Sequence, residues 1–241
     1  LPSKANRWLG LSRNKRKFSI AVGVLGALTA FFVVPVSPGV MLRGNFMHGI
    51  GCMDGAVTAY DVVAEHSVIQ SQRIRALRRS AVLHDVALGD DAAALVRWSR
   101  LAQQLNDSDD ALADVWSQIG VLHSRSSESS AHAAVAFEKA AKFSTQDEDS
   151  AKYWMAASEQ WLLASNSRKA TSIWMNLAET DSTHRSEAYV ALGQWHLSQG
   201  RSEQALTWFE RSVETASTDD QRGLAKIGVA ICLERLGNLD E

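Results

Sequence analysis

The chain has 241 residues, 46% of them hydrophobic and 22% charged, a balance that excludes a disordered polymer and allows one or two domains or a repeat array. Its formal charge of -2 hides a split: residues 1–17 hold six Lys/Arg and no acid, which leaves nineteen basic against twenty-seven acidic side chains in the other 224. A body that acidic is a poor match to a phosphate backbone, so nucleic acid is excluded as an expected partner.

The basic leader, 1–17, runs into a segment with no charged residue between Phe18 and Leu42. Its most apolar part, 18–36, is 19 residues long. As a helix it would measure about 28 Å, enough to span a bilayer. The exit reads Val34-Pro35-Val36-Ser37-Pro38, a poor match to the small-x-small site of a cleaved signal peptide. Residues 18–36 therefore read as a single transmembrane helix, with Trp8, Lys15, Arg16 and Lys17 as its interfacial anchor. The excess of positive charge before the span places the N-terminus in the cytoplasm, stroma or matrix. The body then lies on the opposite side, periplasmic, lumenal or intermembrane-space. Gly23, Gly26, Ala27 and Ala30 form a candidate small-residue face for another membrane helix.

Pro35 and Pro38 end the span, Pro38 suits the first turn of the next helix, and no proline follows to Glu241. The body is therefore expected to be helical, and about three residues separate it from the span. With no Gly/Ser linker, the expectation is a fixed pose at the membrane face.

Within the body an Ala is followed four residues later by an aromatic five times: Ala56/Tyr60, Ala94/Trp98, Ala133/Phe137, Ala170/Trp174 and Ala205/Phe209. Successive pairs lie 38, 39, 37 and 35 residues apart. A recurrence at this period marks a stack of supersecondary units that bury their apolar faces against their neighbours. The clearest unit reads Tyr189, Leu192, Gly193, His196, Gly200, Ala205, Phe209, Ser212. Others read Trp116, Ile119, Gly120, His123, Ala133, Phe137, Ala140 and Trp154, Ala157, Ser158, Trp161, Ala170, Trp174, Leu177. More worn copies carry Gly44, Met47, Gly51, Ala56, Tyr60, Val63, and Gly89, Ala94, Trp98, Leu101 with a first helix near 68–86. Ala230, Leu233 and Gly237 open a sixth unit, which stops where its second helix is expected.

These residues resemble the tetratricopeptide repeat (TPR) family over about 40–241. The resemblance implies an all-α chain: after the membrane helix, a TPR-like α-solenoid of about five helix–turn–helix repeats, the last repeat incomplete. Periods above the family's usual length imply lengthened turns. Small residues such as Gly120 and Gly193 are expected to let paired helices approach, with the aromatic filling the space between pairs.

No motif carries chemistry. The seven His are scattered without metal-ligand spacing, and His123 and His196 stand at the repeat's aromatic position, where packing explains them. No P-loop, HExxH or Ser-His-Asp pattern occurs. No catalytic, cofactor-binding or metal-binding residue is expected, and the chain does not read as an enzyme. Cys52 and Cys232 lie too far apart to bridge and read as small buried hydrophobes. Asn106-Asp107-Ser108 matches a glycosylation sequon.

Two features are candidates for interaction. Arg73, Arg75, Arg78 and Arg79 concentrate positive charge on a repeat close to the membrane, as a solvated face or a dock for acidic lipid headgroups or an acidic subunit. Trp195 and Trp208 flank core positions and can serve as contact hot spots, while Trp98, Trp116, Trp154, Trp161 and Trp174 fit core positions. The expected function is a membrane-anchored scaffold or accessory subunit, with the lipid bilayer and other subunits of a membrane complex as partners. The alternative is a chaperone-like receptor binding peptides or unfolded clients in a concave groove. Gln118, Gln160 and Gln194 make that groove less basic than a carboxylate clamp requires.

Overall fold

With no proline after Pro38, no backbone position beyond it is barred from helical hydrogen bonding. The structure, a computed structural model, describes residues 37–105, 110–180 and 184–237, and among them there are helices and no strand. The leader, the expected span over 18–36, the sequon and residues 239–241 lie outside the described residues. No helix among the described residues is long and apolar enough to cross a membrane.

The chain divides into two compact units, one ending at Leu101 and the other beginning at Ala102. The first contains α1 (Ser37–Gly49), α2 (Met53–His66), α3 (Gln70–Val82) and α4 (Asp91–Ala102), with α3 running on through a π-turn at Leu83–Leu88. The second contains α5 (Asp110–Ser124), α6 (Ser130–Phe143), α7 (Asp147–Leu163), α8 (Ser167–Glu179), α9 (Arg185–Ser198), α10 (Ser202–Thr215) and α11 (Asp219–Leu236). Each Ala–aromatic pair falls on the second helix of a helix–turn–helix unit. All five Ala are fully buried, and their aromatics are 1–7% exposed.

The extra length of the repeats is divided between turns and helices. Most helix junctions are three-residue turns, such as 67–69, 144–146 and 216–218. In two repeats it goes into the first helix: α7 has 17 residues, and in the second repeat the π-turn prolongs α3. Longer connections take up residues between α4 and α5, between α5 and α6, where a 3-10 turn forms at Ser127–Ser129, and between α8 and α9.

Junction chemistry is local. Asp90, Asn166 and Thr218 accept backbone N–H groups three residues on at 2.9, 3.3 and 3.2 Å, satisfying donors a helix start leaves unpaired. Gly89 closes the π-turn at φ 65, a left-handed conformation that lets the Asp90 N–H reach back to His84 at 2.8 Å. Ser165 takes the same left-handed region at φ 59 between α7 and α8, the one place where a residue with a Cβ does so among the described residues.

Candidate functional site

The aromatic of each pair needs a seat, and the sequence supplies a small residue 16 or 17 positions earlier on the first helix. In unit 1, a Cβ built on Gly44 would lie 2.6 Å from the Tyr60 ring. In unit 2, one on Gly120 would lie 2.8 Å from Phe137, and one on Gly193 2.8 Å from Phe209. Gly228 on α11 approaches Phe209 more closely still. Ser158 takes the same place in the fourth repeat, where its hydroxyl accepts the Trp174 Nε1–H at 2.7 Å. The expected role of Gly120 and Gly193 is thus seen directly. These contacts leave the outer parts of the first helices free to form surfaces.

In unit 1 that surface is a cleft of about 720 Å³ over Tyr60. Asn45 and His48 of α1 line one side, Arg78 and Arg79 of α3 the other. Met53, Val82 and Val86 make its walls largely apolar, and among the described residues no acidic side chain lines it. Asn45 Oδ1 accepts from the Tyr60 hydroxyl at 2.9 Å and from the Arg79 guanidinium, which also sits 5.7 Å from the Tyr60 ring centre. The structure thus separates the four arginines. Arg73 donates to the Ser67 carbonyl in the turn before α3 and Arg75 to the Ser71 carbonyl within α3, at 3.1 and 3.3 Å, so both are engaged around the start of that helix. Arg78 and Arg79 alone of the four line the cleft.

Behind the cleft lies a polar cluster that sequence reasoning missed. Asp61 accepts from the buried Ser80 hydroxyl at 2.6 Å and forms an ion pair with Arg97, whose Nε also reaches Ser80 at 2.8 Å. His84, one turn beyond Ser80, is buried, and its Nδ1 stands 3.9 Å from Asp90. Burial first, then the Arg97 charge, holds its imidazole below the usual histidine range. With Ser80 tied to Asp61 and Arg97, these groups tie α2, α3 and α4 together. The signal was scattered over Asp61, Ser80, His84 and Arg97, at no motif spacing.

In unit 2 the two expected contact tryptophans are brought together. The Trp208 ring stacks on Tyr189 at 5.8 Å and on His196 at 6.4 Å, and Trp195 meets His196 edge-on at 4.8 Å. All four rings are half-buried. Arg211 sits 5.0 Å over Trp208 and Arg201 5.9 Å over Trp195. Burial, and secondarily Arg201, holds His196 below its usual range. His123 is likewise lowered, by burial and then by His132, on which it stacks at 5.4 Å. Both histidines pack, as expected. Trp98, Trp161 and Trp174 are buried, whereas Trp116 and Trp154 are half-buried under Lys139 and Lys142.

Gln118 and Gln160 are half-buried and Gln194 is exposed. Of the cysteines, Cys232 is buried as expected, but Cys52 is exposed, because it stands in the turn between α1 and α2. Among the described residues no group of three His, Cys, Asp or Glu could hold a metal ion. Trp8, Lys15, Arg16, Lys17 and the Gly23, Gly26, Ala27, Ala30 face lie outside the described residues.

No protein-family model matches the sequence, and no curated protein matches it. Solved structures do. One is YrrB, described as a TPR protein with an unusual peptide-binding site, at 13% identity and TM-score 0.54, covering 83% of this chain and 97% of that one. Another is BtubC (BKLC) from P. vanneervenii, at 17% identity and TM-score 0.52, covering 79% and 84%. A third is MamA, at 16% identity and TM-score 0.51, covering 71% and 93%. At these identities the likeness is one of fold, and the chain has a TPR-like fold.

Proposed function

We propose that this chain is a protein-interaction scaffold, an accessory subunit of a larger membrane complex. Residues 18–36 hold it as a single span, with the leader on the cytoplasmic, stromal or matrix side and the repeats opposite. The reading assigns it no catalysis and no nucleic acid. The observation that carries it is the ladder of Tyr189, Trp208, His196 and Trp195, four half-buried rings on two adjacent helices. Tryptophan, tyrosine and arginine dominate binding hot spots, and this surface supplies all three.

The test is extraction of the full chain from its native membrane in mild detergent, followed by affinity capture. Stoichiometric co-eluting proteins are expected, reduced at least about tenfold in a Trp195→Ala/Trp208→Ala variant, as loss of a hot spot predicts. A monodisperse monomer eluting alone would overturn the reading.

A specific observation also favours a second reading, a receptor for acidic peptides: the cleft over Tyr60 has two arginines and, among the described residues, no acidic lining. YrrB, with a similar fold, is described as having a peptide-binding site. Saturable, competable micromolar binding of an acidic peptide to the full chain, lost on Arg78→Gln/Arg79→Gln, would select this reading.

A further inference from the structure

The first repeat carries an apolar row that nothing among the described residues covers. Leu42, Phe46 and Ile50 follow one another at four-residue spacing along α1 and into its closing turn, on one face. They are 56%, 54% and 61% exposed. On the other side of the helix Gly44 sits against Tyr60 and Val40 is buried, so that side is used for packing. The same helix contributes His48 and Asn45 to the cleft that holds Arg78 and Arg79.

Charge is distributed to match. Between 37 and 101 the basic residues are seven arginines and no lysine, against six Asp/Glu. From 102 onward there are twelve Lys/Arg against twenty-one Asp/Glu. The region with the apolar row is therefore the one that an anionic surface does not repel. The most apolar stretch, 18–36, lies immediately before α1, and the uncharged run continues into that helix as far as Leu42.

We propose that the first repeat seats on an anionic lipid surface. Leu42, Phe46 and Ile50 enter the boundary between headgroups and acyl chains, while Arg78 and Arg79 take lipid phosphates. The inference rests on the proposed span over 18–36. Given that span, the row cannot be far from the bilayer, because a 13-residue helix is only about 20 Å long. Arginine is well suited to phosphate, since its planar, weakly hydrated guanidinium binds phosphate oxygens in pairs. A row of three apolar side chains binds a membrane only marginally by itself, but a tethered one works at high effective concentration. An acidic peptide would satisfy the arginines and leave the row exposed; a lipid surface accounts for both.

The experiment uses the full chain labelled at Cys52, exposed beside the row, while Cys232 is buried and stays unlabelled. It is reconstituted into nanodiscs of phosphatidylcholine alone, or with about one-third phosphatidylglycerol, each with a headgroup quencher. Quenching should be at least about twofold stronger in the anionic discs and fall to the neutral level in ~0.5 M salt, where the screening length is only a few ångströms. Arg78→Gln/Arg79→Gln should remove the difference. Leu42→Ser/Phe46→Ser, which alters only exposed side chains, should lower quenching in both compositions.

Equal, salt-insensitive quenching in both compositions would overturn the proposal. Alkaline extraction separates the two levels. A chain that resists extraction but is not quenched defeats the docking and leaves the span, and a chain that is extracted defeats both. An acidic peptide that binds while the discs fail to quench would give the cleft to peptides and also defeat the docking.

Discussion

Unit 2 covers its aromatic side chains with its own cations: Lys139 lies 3.7 Å over Trp116, Lys169 3.7 Å over Trp161 and Arg211 5.0 Å over Trp208. Unit 1 has a single such lid among the described residues, Arg79 over Tyr60, and beside it the chain leaves an open cleft. The interiors differ as well. Unit 2 seats Phe137 and Phe209 against glycines and closes two helices with a reciprocal Ser186–Ser212 pair, hydroxyl to hydroxyl at 2.9 Å. Unit 1 seats Tyr60 against Gly44 in the same way and adds an Asp61–Arg97 ion pair with Ser80 between three helices. The comparison teaches that repeats sharing one close-approach seat can be held further by neutral serine pairs or by a charged pin. Where the pin is used, arginine is already concentrated nearby.

The comparison breaks most sharply at Phe209, which fills the space between Gly193 and Gly228. Phe209→Ala should cost about 3–5 kcal/mol, read as a lowered urea midpoint of the full chain. Removing the pin in unit 1 by Arg97→Ala should cost less, about 2–3 kcal/mol. The pair is only partly buried, with 21% and 31% side-chain exposure, but the loss leaves Asp61 and Ser80 without their cation. A loss under about 0.5 kcal/mol would mean the pin holds nothing.

Gly228→Ala places a methyl against the Phe209 ring and should cost about 1–3 kcal/mol by overpacking, although alanine favours helix. Gly223→Ala on the same helix meets nothing within 4 Å and should be neutral or stabilising. Equal effects at the two glycines would sink the seat. Ser158→Ala, which orphans the buried Trp174 N–H, should cost about 1–3 kcal/mol.

The smallest effect is on pH dependence. His84 in unit 1 and His123 and His196 in unit 2 are all lowered from their usual range, mainly by burial. The unfolded chain therefore binds protons more readily, so stability should fall as pH drops below the unfolded value near 6.5. Denaturation midpoints should be lower at pH 5.5 than at 7.5, and His84→Gln should flatten the slope. Glu159, raised by burial and then by Glu187, acts oppositely, because the native state holds its proton more tightly than the unfolded chain does.

Periodicity made the helical stack legible, because an alanine and an aromatic one turn apart can recur at one period only if each repeats the same buried geometry. The seats were half legible: Gly120, Gly193 and Ser158 were read at one repeat position, but that Trp174 donates to the Ser158 hydroxyl shows only in the structure. The arginine run was visible as charge alone. Its division into Arg73 and Arg75, bonded around the start of α3, and cleft-lining Arg78 and Arg79 follows from helical angle and from α1, which sequence spacing does not place. The ladder joining Trp195 to Trp208 through His196 was unread for the same reason, since its members sit on two helices.

The most direct test of the scaffold function is amine-reactive crosslinking with mass spectrometry on the native membrane. Every lysine of the described residues belongs to unit 2, so Lys139, Lys142, Lys152, Lys169 and Lys226 report on that surface. Reproducible links from several of them to one or a few membrane-complex proteins are expected, weakened by Trp195→Ala/Trp208→Ala. Links confined to this chain, from protein that also migrates as a monomer in mild detergent, would contradict a scaffold.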